Sequence, residues 1–261
     1  GLNWNDYGAR WYMPELGRWG GVDALAGKYP NISQYAFCLN NPVINVDPLG
    51  MDVYRYDDKT GGMILYKKTD DNFDQIGKFK MVKNKETGER SYELKTKRDG
   101  TTRTHIDNIE KGILSDGMNF KTNDNVINVG GEGQATVEGF ESFITQFSDM
   151  INKEIAGFYY TPTGKNGISD ISHIYVGNFQ NNTEQKAFAT PKFHSVRPDL
   201  VGKLDVHTSF HTHLSRFPES SKLVPSGLHL PGGDMAFKRS QIPNGIKRFI
   251  ILTTGYPPIP Y

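Results

Sequence analysis

The chain has almost no cysteine, almost no net charge and no long apolar run. Cys38 is the single cysteine among 261 residues, so neither an internal disulfide nor a zinc cage of several thiolates can form. Thirty basic against 29 acidic residues leave a net charge of +1, which argues against the extended basic surface that binds nucleic acid. No stretch approaches the roughly 18 apolar residues of a membrane-spanning helix. A metal site in this protein must therefore be built from His, Asp and Glu, and neither membrane insertion nor nucleic-acid binding is expected.

The first half of the chain is divided into two segments by its composition. Residues 1–51 are rich in aromatics, Gly, Asn and Pro, with short β-type runs and no amphipathic helix of useful length. The sequence starts with Gly-Leu-Asn-Trp instead of Met, which indicates a fragment of a longer precursor. Residues 52–132 predict a β-rich linker or an N-terminal extension of the following domain. Strands are expected at 53–54, 63–66, 76–82 and 91–94, and a short helix at 106–114.

Residues 133–261 predict one mixed domain of helices and strands. Phe140, Phe143, Ile144 and Phe147 recur at helical spacing, which predicts a helix from Thr136 to about Asn152 with its aromatic stripe in the core. Strands are expected at 154–160, 172–179, 204–213 and 247–253, and a second helix at 234–241. This order favours an α+β fold, built as a mixed α/β sandwich.

Two histidines end the strand predicted over 204–213. Residues i and i+2 of a strand point to the same face, so His211 and His213 converge. Neutral imidazole is a good zinc ligand, and a catalytic zinc site uses three protein groups and one water. His207 shares this face but lies farther back along the strand, where a hydrogen-bonded core histidine is the expected role.

Two acidic residues complete the candidate site. Asp234 opens a predicted helix after a long loop, where a carboxylate serves as a helix cap or as a third metal ligand. Glu154 precedes the otherwise apolar strand Ile155-Ala156-Gly157-Phe158, and a charge in that place suggests a special role.

This order of residues resembles the JAB/MPN metallopeptidases, also called JAMM proteins. Their pattern is a Glu before a Gly-containing strand, followed by His-Ser/Thr-His-Pro-x6-Ser-x-x-Asp, and Glu154 with His211-Thr212-His213 match it. The resemblance implies a sandwich of the JAB/MPN, cytidine-deaminase-like type, with Zn²⁺ held by His211, His213 and Asp234 and one position left for water. It also implies that Glu154 takes the proton of that water and passes it to the leaving amine.

The chain departs from this pattern in the loop that follows the histidines. Leu214 stands where the family has Pro, and Asp234 lies 21 positions after His213, a longer spacing than in the pattern. Pro231 occupies the place of the family's Ser, three positions before Asp234. Ser226 is then the candidate for the hydroxyl that supports the oxyanion of the tetrahedral intermediate.

The first fifth of the chain resembles the repeat-associated core that closes the β-cage of Rhs/YD-repeat proteins. The match runs from Asp6-Tyr7-Gly8-Ala9-Arg10-Trp11-Tyr12 through Asn40-Asn41-Pro42 to Asp47-Pro48-Leu49-Gly50-Met51. In that family, Pro-x4-Asp-Pro-x-Gly-Leu is a self-cleavage site at which two aspartates act. The resemblance implies that Asp23 and Asp47 are this pair, one holding a proton while the other activates water, and that Met51–Asp52 is the bond cut. From the residues alone, both are turn-forming aspartates.

Together the two resemblances imply an Rhs-type precursor whose cargo is an antibacterial JAB-like zinc peptidase or isopeptidase. Delivery into a competing cell by a type VI secretion system, a cognate immunity protein and enclosure in the Rhs cage of the precursor follow from the family. Two other functions stay open from the residues. One is a metal-dependent nuclease, which the balanced charge disfavours, and the other is a metal-stabilised binding module with impaired catalysis.

Overall fold

The computed structural model describes residues 5–6, 11–13, 15–16, 18–21, 51–69, 73–162, 171–187, 204–226, 233–242 and 246–261. The chain divides into two compact units, Gly1–Gly50 with Thr96–Thr101, and Met51–Lys95 with Thr102–Tyr261. In the first unit, three strands form an antiparallel sheet: β1 (Asn5–Asp6), β2 (Trp11–Met13) and β3 (Arg18–Trp19). Asp23 and Asp47 lie outside the described residues, so the self-cleavage pair stays a prediction.

The second unit begins with a four-stranded sheet. Its strands are β4 (Asp52–Tyr56), β5 (Met63–Lys67), β6 (Phe73–Gly77) and β9 (Thr104–Glu110), and between them β7 (Phe79–Lys83) and β8 (Arg90–Leu94) form an antiparallel hairpin. The order in the sheet is β5-β4-β6-β9, in which β4 and β6 are parallel and the other neighbours antiparallel. The single strand predicted over 76–82 is therefore two strands, which separate at Lys78.

The helix predicted over 106–114 is wrong for most of its length. These residues belong mainly to β9, and only α1 (Ile113–Asp116) is helical. Ile106 and Ile109 are three positions apart, yet they pair with residues only two positions apart on β6. Between them Asn108 has a positive φ of 53°, as expected where a bulge adds one residue to a strand. The bulge gives the buried isoleucines the spacing of a helical turn.

A six-stranded sheet forms the centre of the second unit. Its elements are β10 (Asn125–Asn128), α2 (Val137–Ile151), β11 (Ala156–Pro162), β12 (His173–Val176), β13 (Leu204–Thr212), α3 (Glu219–Lys222), α4 (Gly233–Gln241), β14 (Arg248–Leu252) and β15 (Ile259–Pro260). The sheet order is β10-β12-β11-β13-β14-β15, with β13 and β14 parallel. The elements predicted for 133–261 are confirmed to within three residues at each end, and the fold is α+β.

Helix α2 covers one face of this sheet. Its N-cap is Thr136, whose hydroxyl accepts a hydrogen bond from the Gly139 amide at 2.9 Å, and it ends at Asn152 in the left-handed conformation. The predicted aromatic stripe is buried in the core, as expected: Phe140, Phe143 and Phe147, which contact Phe120, Tyr159 and Phe210.

The core beneath α2 continues into the four-stranded sheet. Tyr54, Met63, Ile76, Ile106 and Ile109 belong to the same apolar cluster as α2 and the six-stranded sheet. Residues on both sides of the boundary expected near residue 133 therefore share one core. Within the described ranges, no helix is long and apolar enough to cross a membrane.

The opposite face of the six-stranded sheet carries a second, smaller apolar cluster. It contains Phe158, Tyr160, Tyr175 and Phe249, against which α4 packs through Phe237. The ring of Tyr261, just after β15, contacts Phe249 at a centroid distance of 6.0 Å. Side chains at the end of β13 that point away from α2 therefore face the side of the sheet on which α4 lies.

Candidate metal centre

His211 and His213 meet at the end of β13. His211 is the penultimate residue of the strand, and His213 is the first residue after it. Their Nε2 atoms are 2.9 Å apart, and both side chains are buried. The convergence predicted from the two-residue spacing is therefore present in the structure.

Asp234 joins the two histidines from the first turn of α4. Its Oδ2 atom lies 3.3 Å from Nε2 of His211 and 3.8 Å from Nε2 of His213. Atoms that each lie about 2 Å from one tetrahedral ion are about 3.3 Å from one another, and the three observed separations bracket this value. The long loop after His213 therefore still brings Asp234 to the place expected of a third ligand, and these three residues could hold a metal ion.

The hydrogen bond of the His213 ring leaves its Nε2 atom for a metal. Nδ1 of His213 lies 3.1 Å from the carbonyl oxygen of Lys222, which accepts only, so Nδ1 carries the proton and Nε2 the lone pair. Nδ1 of His211 faces the Tyr261 hydroxyl at 3.4 Å. The Lys222 carbonyl thus fixes the tautomer of His213, whereas the Tyr261 hydroxyl, which can donate or accept, orients the ring of His211.

The charges in the site fit a cation. Burial, and then the neighbouring His211, lower the pKa of His213 to about 4, so that its ring is neutral at neutral pH. Burial acts to raise the pKa of Asp234, but the hydrogen bond and charge of His211, the Ser226 amide and His213 together outweigh burial and bring the pKa to about 2. An ionised carboxylate and the lone pair of His213 thus meet beside Nε2 of His211 in one buried place, where a divalent cation would stabilise them.

Glu154 lies next to the three ligands but outside their group. Its Oε1 atom is 4.0 Å from Nε2 of His213, and its side chain is buried two residues before β11 begins. Burial, followed by the charge of Asp234, raises the pKa of Glu154 to about 8. Glu154 therefore lies beside the three candidate ligands, and its role as proton acceptor stays a prediction.

Ser226 lies against Asp234 and is bonded to it twice. Its amide donates to Oδ2 of Asp234 at 2.6 Å, and its hydroxyl accepts from the Asp234 amide at 3.1 Å. Gly233 permits this approach, because a Cβ there would lie 2.3 Å from the Ser226 hydroxyl oxygen. Ser226 thus lies beside a candidate metal ligand, with its hydroxyl bonded to the backbone of that residue, and its role at the oxyanion stays a prediction. Pro231 lies outside the described residues.

Other residues at the site were not recognisable from sequence. Tyr261 is 50 positions from His211 and Lys222 contributes only its backbone carbonyl, so neither leaves a local pattern. His207 is the core histidine that was expected, with Nε2 2.9 Å from the Thr161 hydroxyl. Leu214, in the place of the family's Pro, is buried.

Comparison with protein-family models, with curated proteins and with solved structures finds no match to this chain. The candidate site therefore stands on its own geometry and chemistry.

Proposed function

We propose that residues 52–261 form a zinc-dependent peptidase or isopeptidase of the JAB/MPN kind. The observation that carries this proposal is the convergence of two imidazoles and one carboxylate on a point, with a second, buried carboxylate beside them. The order of elements also supports it: a helix, a strand that follows Glu154, a strand at whose end the histidine pair lies, and a helix with Asp234 in its first turn.

His211, His213 and Asp234 would hold the zinc ion. Zinc bound there would supply Lewis acidity, which lowers the pKa of a water and polarises a scissile carbonyl. The softer nitrogen donors favour zinc over magnesium or calcium, which prefer sites made of oxygen atoms alone. The Lys222 carbonyl and the Tyr261 hydroxyl orient the two rings from behind.

Glu154 would move the proton. In its ionised form it accepts a proton from the attacking water, and in its protonated form it donates one to the leaving amine. Burial favours the protonated form and a nearby cation favours the ionised form, so the two states can lie close in free energy. Such a balance is what a group that accepts and then donates a proton requires.

The place of this domain in a longer protein is a further part of the proposal. The residues that resemble an Rhs core precede Asp52, the first residue of β4, and support a cargo that begins there. Its delivery by a type VI system and its neutralisation by an immunity protein follow from this resemblance. If Asp47 and Asp23 cut the chain after Met51, mass spectrometry of the wild type finds a fragment that starts at Asp52, and Asp47→Asn abolishes it.

Purified protein loaded with one equivalent of Zn²⁺ tests the chemistry. The assay uses labelled casein, a lysine-linked ubiquitin dimer and peptidoglycan as substrates, with wild type and Glu154→Gln compared at equal zinc content. Hydrolysis by the wild type that is lost in Glu154→Gln supports the peptidase. Cleavage of DNA or RNA instead would make the protein a nuclease, and zinc binding without either activity would make it a binding module.

A further inference from the structure

Thr212 lies between the two histidine ligands, and its side chain points to the opposite face of the sheet. There its hydroxyl oxygen is 2.8 Å from the backbone nitrogen of Ile155 and 2.7 Å from the hydroxyl of Ser148. Thr212 has no exposed surface, and Ser148 is buried in the last turns of α2. The residue between the ligands is therefore bonded to the segment that carries Glu154.

These hydrogen bonds have one consistent direction. The Ser148 hydroxyl donates to the Lys153 carbonyl at 2.6 Å, because a carbonyl can only accept. The Thr212 hydroxyl therefore donates to Ser148 and accepts from the Ile155 amide. The chain of bonds starts at the residue after Glu154 and ends at the residue before it.

The backbone of Glu154 is fixed by its other neighbours as well. Its amide donates to the Thr183 carbonyl at 3.0 Å, and its carbonyl accepts from the Asn182 side chain at 2.8 Å. The Thr212 amide donates to the Ile155 carbonyl, also at 2.8 Å. Among the described residues, the Thr212 hydroxyl differs from these contacts because it joins both sides of Glu154, directly at Ile155 and through Ser148 at Lys153, to the end of β13 between the two histidines.

We propose that Thr212 is a positioning residue, which sets the carboxylate of Glu154 relative to the metal ligands on its own strand. This inference rests on the proposed peptidase function. Its expected effect is on the chemical step, because a displacement of about 1 Å can slow a reaction 100-fold while substrate contacts are unchanged. The ligand atoms belong to other residues, so zinc binding does not depend on the Thr212 hydroxyl.

The test compares Thr212→Val with Thr212→Ser and with Thr208→Val. Valine keeps the shape of Thr212 but leaves the Ile155 amide without its acceptor, whereas serine restores the hydroxyl. Thr208 is the matched control: it is equally buried on the same face of β13, and within the described residues its hydroxyl has no hydrogen-bond partner. Each variant is measured for zinc affinity, for kcat and KM, and for hydrogen exchange of the Ile155 amide.

The expected result for Thr212→Val is a kcat lowered about 10- to 100-fold, with KM and zinc affinity within about threefold of the wild type and faster exchange at Ile155. Thr212→Ser should recover most of kcat, and Thr208→Val should resemble the wild type. An unchanged kcat in Thr212→Val, or an equal loss in Thr208→Val, overturns the proposal. If the zinc-loaded wild type is inactive, the proposed peptidase function fails. Hydrogen exchange of the Ile155 amide then tests the positioning role by itself, and unchanged protection of this amide in Thr212→Val overturns that role too.

Discussion

Ser226 and Asp234 bind each other through two reciprocal hydrogen bonds, each between a backbone amide of one residue and a side-chain oxygen of the other. The Ser226 carbonyl also accepts from the Met235 amide at 3.3 Å. This pairing caps the start of α4 and fixes the carboxylate that faces both histidines. The loop residue Ser226 thus orients a candidate metal ligand.

Ser226→Ala should weaken zinc binding about 10-fold. This is the lower end of the loss in metal affinity that follows when a residue hydrogen-bonded to a metal ligand is mutated. The effect is limited because the Ser226 amide still donates to Asp234. Competition with a chromogenic chelator measures it. Ser240→Ala, which removes an exposed hydroxyl from the other end of α4, is the control and should leave zinc affinity unchanged. Full zinc affinity with a kcat lowered 100-fold would instead assign Ser226 to the oxyanion.

The zinc-free protein should lose stability between pH 7 and pH 8. Burial and the charge of Asp234 raise the pKa of Glu154 from 4.5 to about 8, so in this range the folded chain holds a proton that the unfolded chain has released. Stability therefore falls as pH rises, by up to about 1.4 kcal/mol per pH unit. His213, with its pKa lowered from 6.5 to about 4, contributes only a small slope of opposite sign above pH 7, where its ring is largely deprotonated in the unfolded chain as well. Urea unfolding in the presence of a chelator measures the free energy of unfolding at each pH.

Glu154→Gln is the control for this pH dependence, since glutamine does not titrate. Its unfolding free energy should stay level between pH 7 and pH 8 while that of the wild type declines. A decline of equal slope in both proteins would contradict the assignment to Glu154.

The parts of the site that follow from short-range geometry were predictable from sequence. The two-residue spacing placed both histidines on one face, and Glu154 was found because a charge before an apolar strand is unusual. Asp234 was identified despite its longer loop, because its place at a helix start is also local. The Lys222 carbonyl and the Ser148 hydroxyl left no sequence signal, because their roles arise from contacts made only in the folded chain.

The helix expected over 106–114 shows that a local spacing pattern can also give a wrong prediction. The three-residue spacing of Ile106 and Ile109 indicates a helix, but it arises from a bulge opposite β6. Spacing alone does not distinguish a bulged strand from one turn of helix, and pairing across 30 residues decides between them.

Gly157→Ala should strongly destabilise the protein. A Cβ at this position would lie 2.0 Å from the Tyr175 carbonyl oxygen and 2.6 Å from the Phe210 ring, so that β12 or β13 must move away from β11. We expect a loss of at least about 3 kcal/mol, with weaker zinc binding because β11 and β13 carry the site. Thermal unfolding measures the change. Gly62→Ala is the control, because a Cβ there makes only an ordinary contact at 3.4 Å.

Lys111→Met tests whether residues before 133 stabilise the half of the unit that carries the metal site. Lys111 lies 2.7 Å from Asp52 and 2.6 Å from Asp74, both buried. Burial raises the pKa of Asp74, while Lys111 opposes this rise. Removing Lys111 leaves two carboxylates without their cation, which should cost about 3 kcal/mol at neutral pH and less in acid, where Asp74 takes up a proton.

The loss of stability in Lys111→Met should extend to α2. Glu110, which is adjacent to Lys111, accepts hydrogen bonds from the Thr136 amide and hydroxyl at the start of that helix. Hydrogen exchange of the α2 amides should therefore accelerate in Lys111→Met. Lys80→Met provides the comparison, since it removes an exposed ion pair with Glu93, and such pairs contribute at most about 1 kcal/mol. A different outcome would be that the α2 amides keep their full protection from hydrogen exchange in Lys111→Met while those of the four-stranded sheet lose it. The two sheets would then unfold separately, and the shared core would not couple them.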